Sequence, residues 1–276
     1  MTDNRSILIT GCSSGIGYCV ARGLAARGYR VFATTRKAAD AERLRAEGLE
    51  SLHLDLSDSG SIAAAVDEVL SRTGGRLDAL FNNGAYGQPG AVEDLSREVL
   101  RVQFETNLFG WHELTNRVLP VMRRQGYGRI LHNSSVLGFV ALPFRGAYNA
   151  SKYALEGLAD TLRLELRGTG IHVALIEPGP ITSRFRANAF TAYQRHINPE
   201  TSVHRDRYRQ MEQRLTTDGP VVPFTLPPEA VLKKVIQALE SRRPRARYYV
   251  TFPTYLFAFL KRVLTQRALD RVLARV

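Results

Sequence analysis

The chain has 276 residues, 44% of them hydrophobic and 23% charged, with two cysteines, six histidines and a formal net charge of +12. That length can bury a full core in one domain, and two cysteines are too few for a disulfide scaffold, so Cys12 and Cys19 read as reduced thiols of a cytoplasmic protein. The histidines show no metal-ligand spacing, the N-terminus shows no charged-then-apolar signal segment, and no repeat or low-complexity stretch divides the chain, which argues against a metal site, a secreted protein and a repeat array.

Residues 6–10 read as a short buried strand. The turn Gly11-Cys12-Ser13-Ser14-Gly15-Ile16-Gly17 follows at once, and a helical pattern then runs over residues 18–28 with Val20, Leu24 and Ala25 on one side. Backbone amides of such a turn and the following helix N-terminus can face a pyrophosphate with no Cβ in the way. The spacing is Gly-x3-Gly-x-Gly. A second strand, residues 29–34, ends in Thr35-Arg36-Lys37. An acid at this strand end would accept hydrogen bonds from ribose hydroxyls and repel a 2′-phosphate. Two cations stand there instead, so Arg36 and Lys37 predict NADP(H) over NAD(H).

Strand-like and helix-like segments go on alternating through residue 176. This predicts an α/β fold, a single-domain Rossmann-type, doubly wound parallel sheet with helices on both faces. Within it, Tyr148 and Lys152 lie four residues apart, with Ser135 thirteen residues before Tyr148. On a helix, positions i and i+4 share a face, so the ammonium would lie beside the phenol. A free tyrosine titrates near pKa ~10, and a neighbouring cation moves it toward neutrality, as acid–base catalysis requires. The same spacing also occurs on plain solvated helix faces. Beyond Lys152, Leu155, Leu158, Leu162 and Leu166 form an apolar stripe that the sheet and a partner subunit could share.

Residues 183–226 form the least regular stretch, with Phe185, Phe190, Tyr193, Tyr208 and Phe224 among many arginines. They suit a pocket for a bulky apolar substrate, or else ordinary loop and helix packing. Residues 233–276 hold 11 Lys/Arg and only 2 Asp/Glu. From residue 254 the pattern is helical and two-faced: Leu269, Val272, Leu273 and Val276 on one side, Arg267, Arg271 and Arg275 on the other. Such a helix can lie peripherally on the inner face of a membrane, or pack on the protein body or on a partner. The apolar run 248–260 is too short to span a bilayer, and no nucleic-acid-binding motif accompanies the basic tail.

Taken together, these segments resemble the short-chain dehydrogenase/reductase family over roughly residues 5–250. Its cofactor motif is matched by Thr10 and the turn Gly11, Ser13, Ser14, Gly15, Ile16 and Gly17. Asp55-Leu56, read as the end of the third strand, stands where the family contacts the adenine ring. Asn82-Asn83 begins its loop after the fourth strand. Asn107, Ser135, Tyr148 and Lys152 match its catalytic tetrad. Pro178-Gly179-Pro180-Ile181 and Ser183 match the loop that holds the nicotinamide carboxamide, with serine where threonine is usual.

The resemblance implies a carbonyl oxygen held between Ser135 and Tyr148, with Tyr148 as proton donor. Lys152 would hold the nicotinamide ribose and lower the Tyr148 pKa, and Asn107 would kink its helix and hold a linking water. It also implies a 183–226 lid between a 5–182 core and a 227–276 C-terminal part, and a homodimer built on the catalytic helix. Another departure is Asn82-Asn83-Gly84-Ala85, where the family has Asn-Asn-Ala-Gly. If that last position needed φ > 0, Ala85 would cost about 1–2 kcal/mol. Pro227-Pro228-Glu229-Ala230-Val231 and Arg247-Tyr248-Tyr249-Val250-Thr251 are similar to segments of bacterial NADP-dependent aldehyde reductases, a group close to 17β-hydroxysteroid and retinol dehydrogenases. That similarity implies reduction of a lipophilic aldehyde or ketone. An oxidising dehydrogenase and a non-catalytic NADP(H)-binding regulator are the alternatives.

Overall fold

In the computed structural model, which describes residues 5–276, strands and helices alternate along most of the chain. The strands are β1 (Ser6–Ile9), β2 (Arg30–Thr35), β3 (Glu50–His53), β4 (Ala79–Asn82), β5 (Gly128–Asn133), β6 (Ile171–Glu177) and β7 (Arg247–Tyr249). The helices up to the end of β6 are α1 (Gly15–Ala26), α2 (Ala38–Ala46), α3 (Ser59–Thr73), α4 (Arg97–Phe104), α5 (Gly110–Gln125) and α6 (Gly146–Glu165). Beyond it come α7 (Phe185–His196), α8 (Arg205–Thr216), α9 (Glu229–Glu240), α10 (Phe252–Val263) and α11 (Gln266–Leu273). All strands pair in parallel, in the order β3-β2-β1-β4-β5-β6-β7.

Every residue of β1, β4 and β5 is buried, as a parallel sheet covered on both faces demands. Successive strand side chains point to opposite faces, which divides the core in two. Leu8, Leu80 and Ile130 pack with Val66 of α3, Trp111 and Val118 of α5 and Leu155 of α6. Ile7, Ile9 and Leu131 pack with Val20 and Leu24 of α1 and Val231 and Val235 of α9. The strand order reverses between β1 and β4, so a crevice opens at their carboxyl ends, where such sheets place their ligands.

Several local expectations shift. Helix α1 starts at Gly15 rather than residue 18, so the turn's last glycines belong to its first turn. Asp55 and Leu56 lie just beyond β3, which ends at His53. The C-terminal pattern is two helices, because Leu264 and Thr265 both adopt extended backbone and break it. Phe257, Leu260, Leu269 and Leu273 pack on Leu137 and Val140, so this stretch folds back onto the body. Val272 and Val276 stay exposed. Among the described residues no helix is long and apolar enough to cross a membrane.

Residues 183–226 carry two helices, α7 and α8. Tyr193 and Tyr208 are buried in a separate cluster with Ala91, Leu95 and Val99. Their hydroxyls donate to Glu212 (2.6 Å) and Asp94 (2.6 Å). Those two rings therefore anchor the segment instead of lining a pocket. On α6, Leu155 and Leu166 face the core, whereas Leu158 is 45% exposed.

Candidate active site

The turn after β1 is shaped by backbone proximity. Gly11 (φ 71°) and Gly15 (φ 57°) take left-handed conformations. A Cβ on Gly11 would come within 2.5 Å of Gly84 Cα, and one on Gly17 within 2.3 Å of the Gly11 carbonyl oxygen. The approach to Gly84 requires glycine at 11. At Gly84 an added Cβ would meet Leu56 Cδ1 at 3.1 Å and Gly11 N at 3.2 Å, a tight fit. Ala85 is not among the residues with positive φ, so the expected strain does not arise. Asn83 closes the turn. Its backbone N–H donates to Thr10 Oγ1 (2.8 Å), and its side-chain amide donates to the carbonyls of Thr10 and Gly11 (2.9 and 3.2 Å). Ser14 precedes α1 without a side-chain cap, and the first turn of α1 holds no acid. The cradle thus fits an anionic phosphate.

At the neighbouring strand ends, Arg36 and Lys37 are exposed beyond β2. Burial pushes the Asp55 carboxyl upward, but hydrogen bonds from Ser57 and the charge of Arg36 outweigh it and hold the pKa below the usual range. Leu56 is buried against the core. Asn82 is also buried, and its amide is spent on Thr115 Oγ1 (3.1 Å) and His132 Nδ1 (3.2 Å), so its side chain serves the interior rather than the crevice. Beyond β6, the Pro178 carbonyl accepts from Val136 N (2.8 Å). A Cβ on Gly179 would strike Thr251 Oγ1 at 2.2 Å. Ile181 bridges to Leu226. Ser183 lies against Gly15, where an added Cβ would come within 3.0 Å of the serine Cβ. The loop after β6 therefore closes over the glycine turn.

The tetrad residues converge from three places. Asn107 lies in a π-helical segment, Glu105–Phe109, between α4 and α5. Its amide donates to the Tyr86 carbonyl (2.9 Å) and Ser151 Oγ (3.2 Å), and its Oδ1 accepts from Tyr86 N (3.2 Å). Ser135 follows β5, its Oγ accepting from Leu137 N at 3.1 Å. Tyr148 and Lys152 occupy the first two turns of α6. Lys152 Nζ lies 5.6 Å from the Tyr148 ring centroid and 4.2 Å from that of Trp111, and donates to the Asn133 carbonyl at 2.7 Å.

Burial governs the charges here. It pulls the Lys152 amine down to about 7, with Glu156 opposing. It pushes the Tyr148 hydroxyl up to about 12, opposed by the Ser135 hydroxyl and the Arg145 guanidinium. Arg145 thus adds a second cation near the phenol, beside Lys152. Arg145 was missed although it lies one turn before Tyr148. Trp111 was missed as well; its Nε1 donates to the Gly84 carbonyl (2.8 Å), which ties α5 to the cradle loop.

Tyr148 opens onto a cavity of about 490 Å³. Of the five aromatic residues expected around the substrate, only Phe185 lines it, edge-on to Tyr148 with centroids 5.2 Å apart. Leu137, Leu142, Met211, Leu215 and Leu273 add apolar walls.

Comparison with known proteins bears on this arrangement. A family model described as short chain dehydrogenase matches residues 5–194. An uncharacterized oxidoreductase, YbbO, of Escherichia coli K12 is 43% identical over 269 residues, covering 98% of this chain and 94% of its own. Human 17-beta-hydroxysteroid dehydrogenase type 1 is 35% identical over 258 residues, covering 89% of this chain and 77% of its own. A crystal structure of a short-chain dehydrogenase from Streptomyces avermitilis superposes with a TM-score of 0.77 at 28% identity, covering 95% and 94% of the two chains.

Proposed function

The chain belongs to the short-chain dehydrogenase family, and from that premise we propose that it is an NADPH-dependent reductase of lipophilic aldehydes or ketones. As a member of that family it is an oxidoreductase using a nicotinamide cofactor. The observation that carries the finer reading is Tyr148, a phenol in the wall of a largely apolar cavity. A bound nicotinamide cofactor supplies the hydride. The residues to hold it are Gly11, Ser13, Ser14, Gly15, Ile16 and Gly17 around the phosphates, and Asp55 and Leu56 near the adenine. Pro178, Gly179, Ile181 and Ser183 would hold the far end, with Arg36 and Lys37 pairing with a 2′-phosphate through charge-assisted hydrogen bonds.

The Ser135 and Tyr148 hydroxyls then polarise the carbonyl oxygen as negative charge develops on it, and Tyr148 Oη delivers its proton there. Lys152, carried by Asn133 and Trp111, is the nearby amine that replaces the proton. Asn107 fixes the turn of α6 through Ser151. The reverse oxidation would use the same groups, and the hydroxysteroid dehydrogenase among the relatives gives that direction weight. A non-catalytic regulator would have no use for a complete tetrad. The test is NADPH oxidation against a panel of aldehydes, ketones, quinones and steroids, beside NADP⁺ reduction with the matching alcohols. Turnover of none, or NADH serving as well as NADPH, overturns the reading.

The same reading assigns residues 183–226 as a lid over the 5–182 core, and a homodimer through α6. Leu158, Tyr153 and Leu164 leave apolar surface there, and Phe109, just before α5, is exposed as well. Sedimentation with cofactor present checks it, a monomer at micromolar concentration being the contrary result. Peripheral contact of a cytoplasmic protein with an anionic membrane would use the outer face of α10. There Phe252, Tyr255, Leu256, Phe259 and Val263 are exposed at helical spacing, with Arg262 alongside. Salt-sensitive co-sedimentation with anionic vesicles, lost in Phe259→Asp, is the expected result.

A further inference from the structure

Among its leucines the cavity lining also carries Arg145, Arg186, Arg207 and Arg214, and among the described residues no Asp or Glu lines it. Elsewhere the chain gives its partly buried arginines an acceptor. Arg30 meets Glu50, Arg247 meets three carboxylates, and Arg129 reaches two backbone carbonyls and the Tyr127 ring. The cavity departs from that habit. Among the described residues, the half-buried Arg145 and Arg214 form no ion pair and their guanidinium groups donate to no protein acceptor; Arg207, at the exposed rim, is likewise unpaired. Arg186 is held by the carbonyls of Thr217 and Gly219 (2.8 Å each), which fixes the chain after α8 without neutralising its charge.

The guanidinium groups also sit close enough to repel one another. Burial pulls the Arg145 pKa down to about 10, and the charge of Arg214 adds to that fall. Burial lowers Arg214 too, with Arg186 adding to it. No carboxylate contributes to either shift. Half-buried like charges with no counter-charge are unfavourable unless an anion completes them. Arginine's planar fork suits a carboxylate, phosphate or sulfonate, which it can grip through two parallel hydrogen bonds. The leucines and Met211 interleaved with these arginines suit an alkyl chain. Arg145 immediately precedes α6, and its charge is felt at the Tyr148 hydroxyl, so an anion held there lies within one molecule's reach of the reacting carbonyl.

We propose that the substrate is an amphiphile, a lipophilic carbonyl compound with a carboxylate, phosphate or sulfonate group, and that Arg145 and Arg214 hold that group in the cavity. This rests on the reading of the cavity as the carbonyl-substrate site. The deciding measurement is calorimetric binding of decanoate, decyl phosphate, decanesulfonate and decanol to the cofactor-loaded protein. At least one anion should bind roughly ten- to a hundredfold more tightly than decanol, the worth of one or two charged hydrogen bonds. Which of the three binds best identifies the headgroup.

Arg214→Gln should remove most of that preference. Since its guanidinium holds no protein group, the variant should fold, and Arg145→Gln provides an independent check. The turnover arm compares 10-oxodecanoate with its methyl ester, the free acid being expected to show the higher kcat/KM. Decanol binding as tightly as every anion, or Arg214→Gln and Arg145→Gln both keeping the wild-type preference, overturns the proposal. Failure to reduce any carbonyl compound would instead strike the reductase reading, while the binding comparison would still decide the anion site.

Discussion

Lys152 stands on α6 and Arg247 reaches that helix at Glu156, one turn further along, yet the surroundings of the two cations are opposite. Lys152 Nζ has a carbonyl at 2.7 Å and an indole ring beneath it, and no carboxylate within ion-pair distance. Burial therefore dominates, and its pKa falls to about 7. Arg247 reaches the helix from β7 and meets Glu156 together with Glu177 and Asp160, the latter two at 2.6 Å. Burial works against its charge as well, but the carboxylates outweigh it and its pKa rises. Three acids around one cation leave negative charge in excess. That excess appears at Glu177, pushed up to about 8 first by burial and then by Glu156. Counter-charge separates the two: with it a buried cation ties β6, β7 and α6 together, and without it the amine stays near its titration point and available for proton transfer.

Removing each cation in turn puts that contrast at risk. Lys152→Met deletes a buried charge that had no ionic partner, so the fold should be as stable as before or slightly more so. Turnover should drop by about 10²–10⁴-fold, the usual worth of a group in acid–base catalysis, and cofactor binding should weaken. Tyr148→Phe should match that loss of rate while still binding cofactor. Initial rates beside urea unfolding of the same samples check both. A Lys152→Met protein that unfolds early would make the lysine a structural anchor after all.

Arg247→Met is the mirror experiment. It strands buried carboxylates without their cation and should cost about 3–5 kcal/mol of stability. Its folded fraction should still bind cofactor, because β7 is an edge strand separated from β1 and its glycine turn by β4, β5 and β6. Urea unfolding at neutral pH reads the loss, and an unchanged midpoint would remove the anchor role.

What the sequence made legible follows the same division between local and distant causes. The strand, glycine turn and helix at residues 6–26, and the shared face of Tyr148 and Lys152, depend on neighbours in the chain, and the structure has them in place. Arg145, Arg186 and Arg214 come from three separate helical regions, so their meeting could not be read from spacing. The 254–276 pattern looked continuous because Leu264 and Thr265 carry no glycine or proline signal. Aromatic content did not tell anchor from lining, since Tyr193 and Tyr208 turn inward to Glu212 and Asp94 while Phe185 turns to Tyr148. Spacing shows which charge lies near Tyr148 but not that burial pushes its hydroxyl upward.

Arg36 extends the contrast to an exposed cation, which like Lys152 enters no ion pair among the described residues. If its counter-charge is the cofactor's 2′-phosphate, Arg36→Ala should cost about 1.5–3 kcal/mol of NADPH binding, roughly ten- to a hundredfold in affinity. NADH, lacking that phosphate, should be nearly unaffected. Titrating both cofactors into both proteins settles the matter, and equal weakening of the two would place the 2′-phosphate elsewhere.

The effect most specific to the contrast, small over any one pH unit, is a pair of opposite slopes in stability against pH. Glu177 has a folded pKa of about 8, above its ordinary 4.5, so between those values the folded state holds a proton that the unfolded state has released. Its contribution is fully present below the ordinary value and is lost as pH rises toward 8. Lys152 has a folded pKa of about 7, below its ordinary 10.5, so between those values the unfolded state holds the extra proton. Stability from this site therefore rises with pH from about 7 upward. Either slope is bounded at about 1.4 kcal/mol per pH unit, the limit for one proton. Glu177→Gln should flatten the fall on the acid side and leave the rise, and Lys152→Met should flatten the rise and leave the fall. Urea midpoints taken from pH 5 to pH 10 for the three proteins would show it. If Glu177→Gln instead removed the alkaline rise, the two sites would be titrating as one, and the separation drawn here along α6 would be wrong.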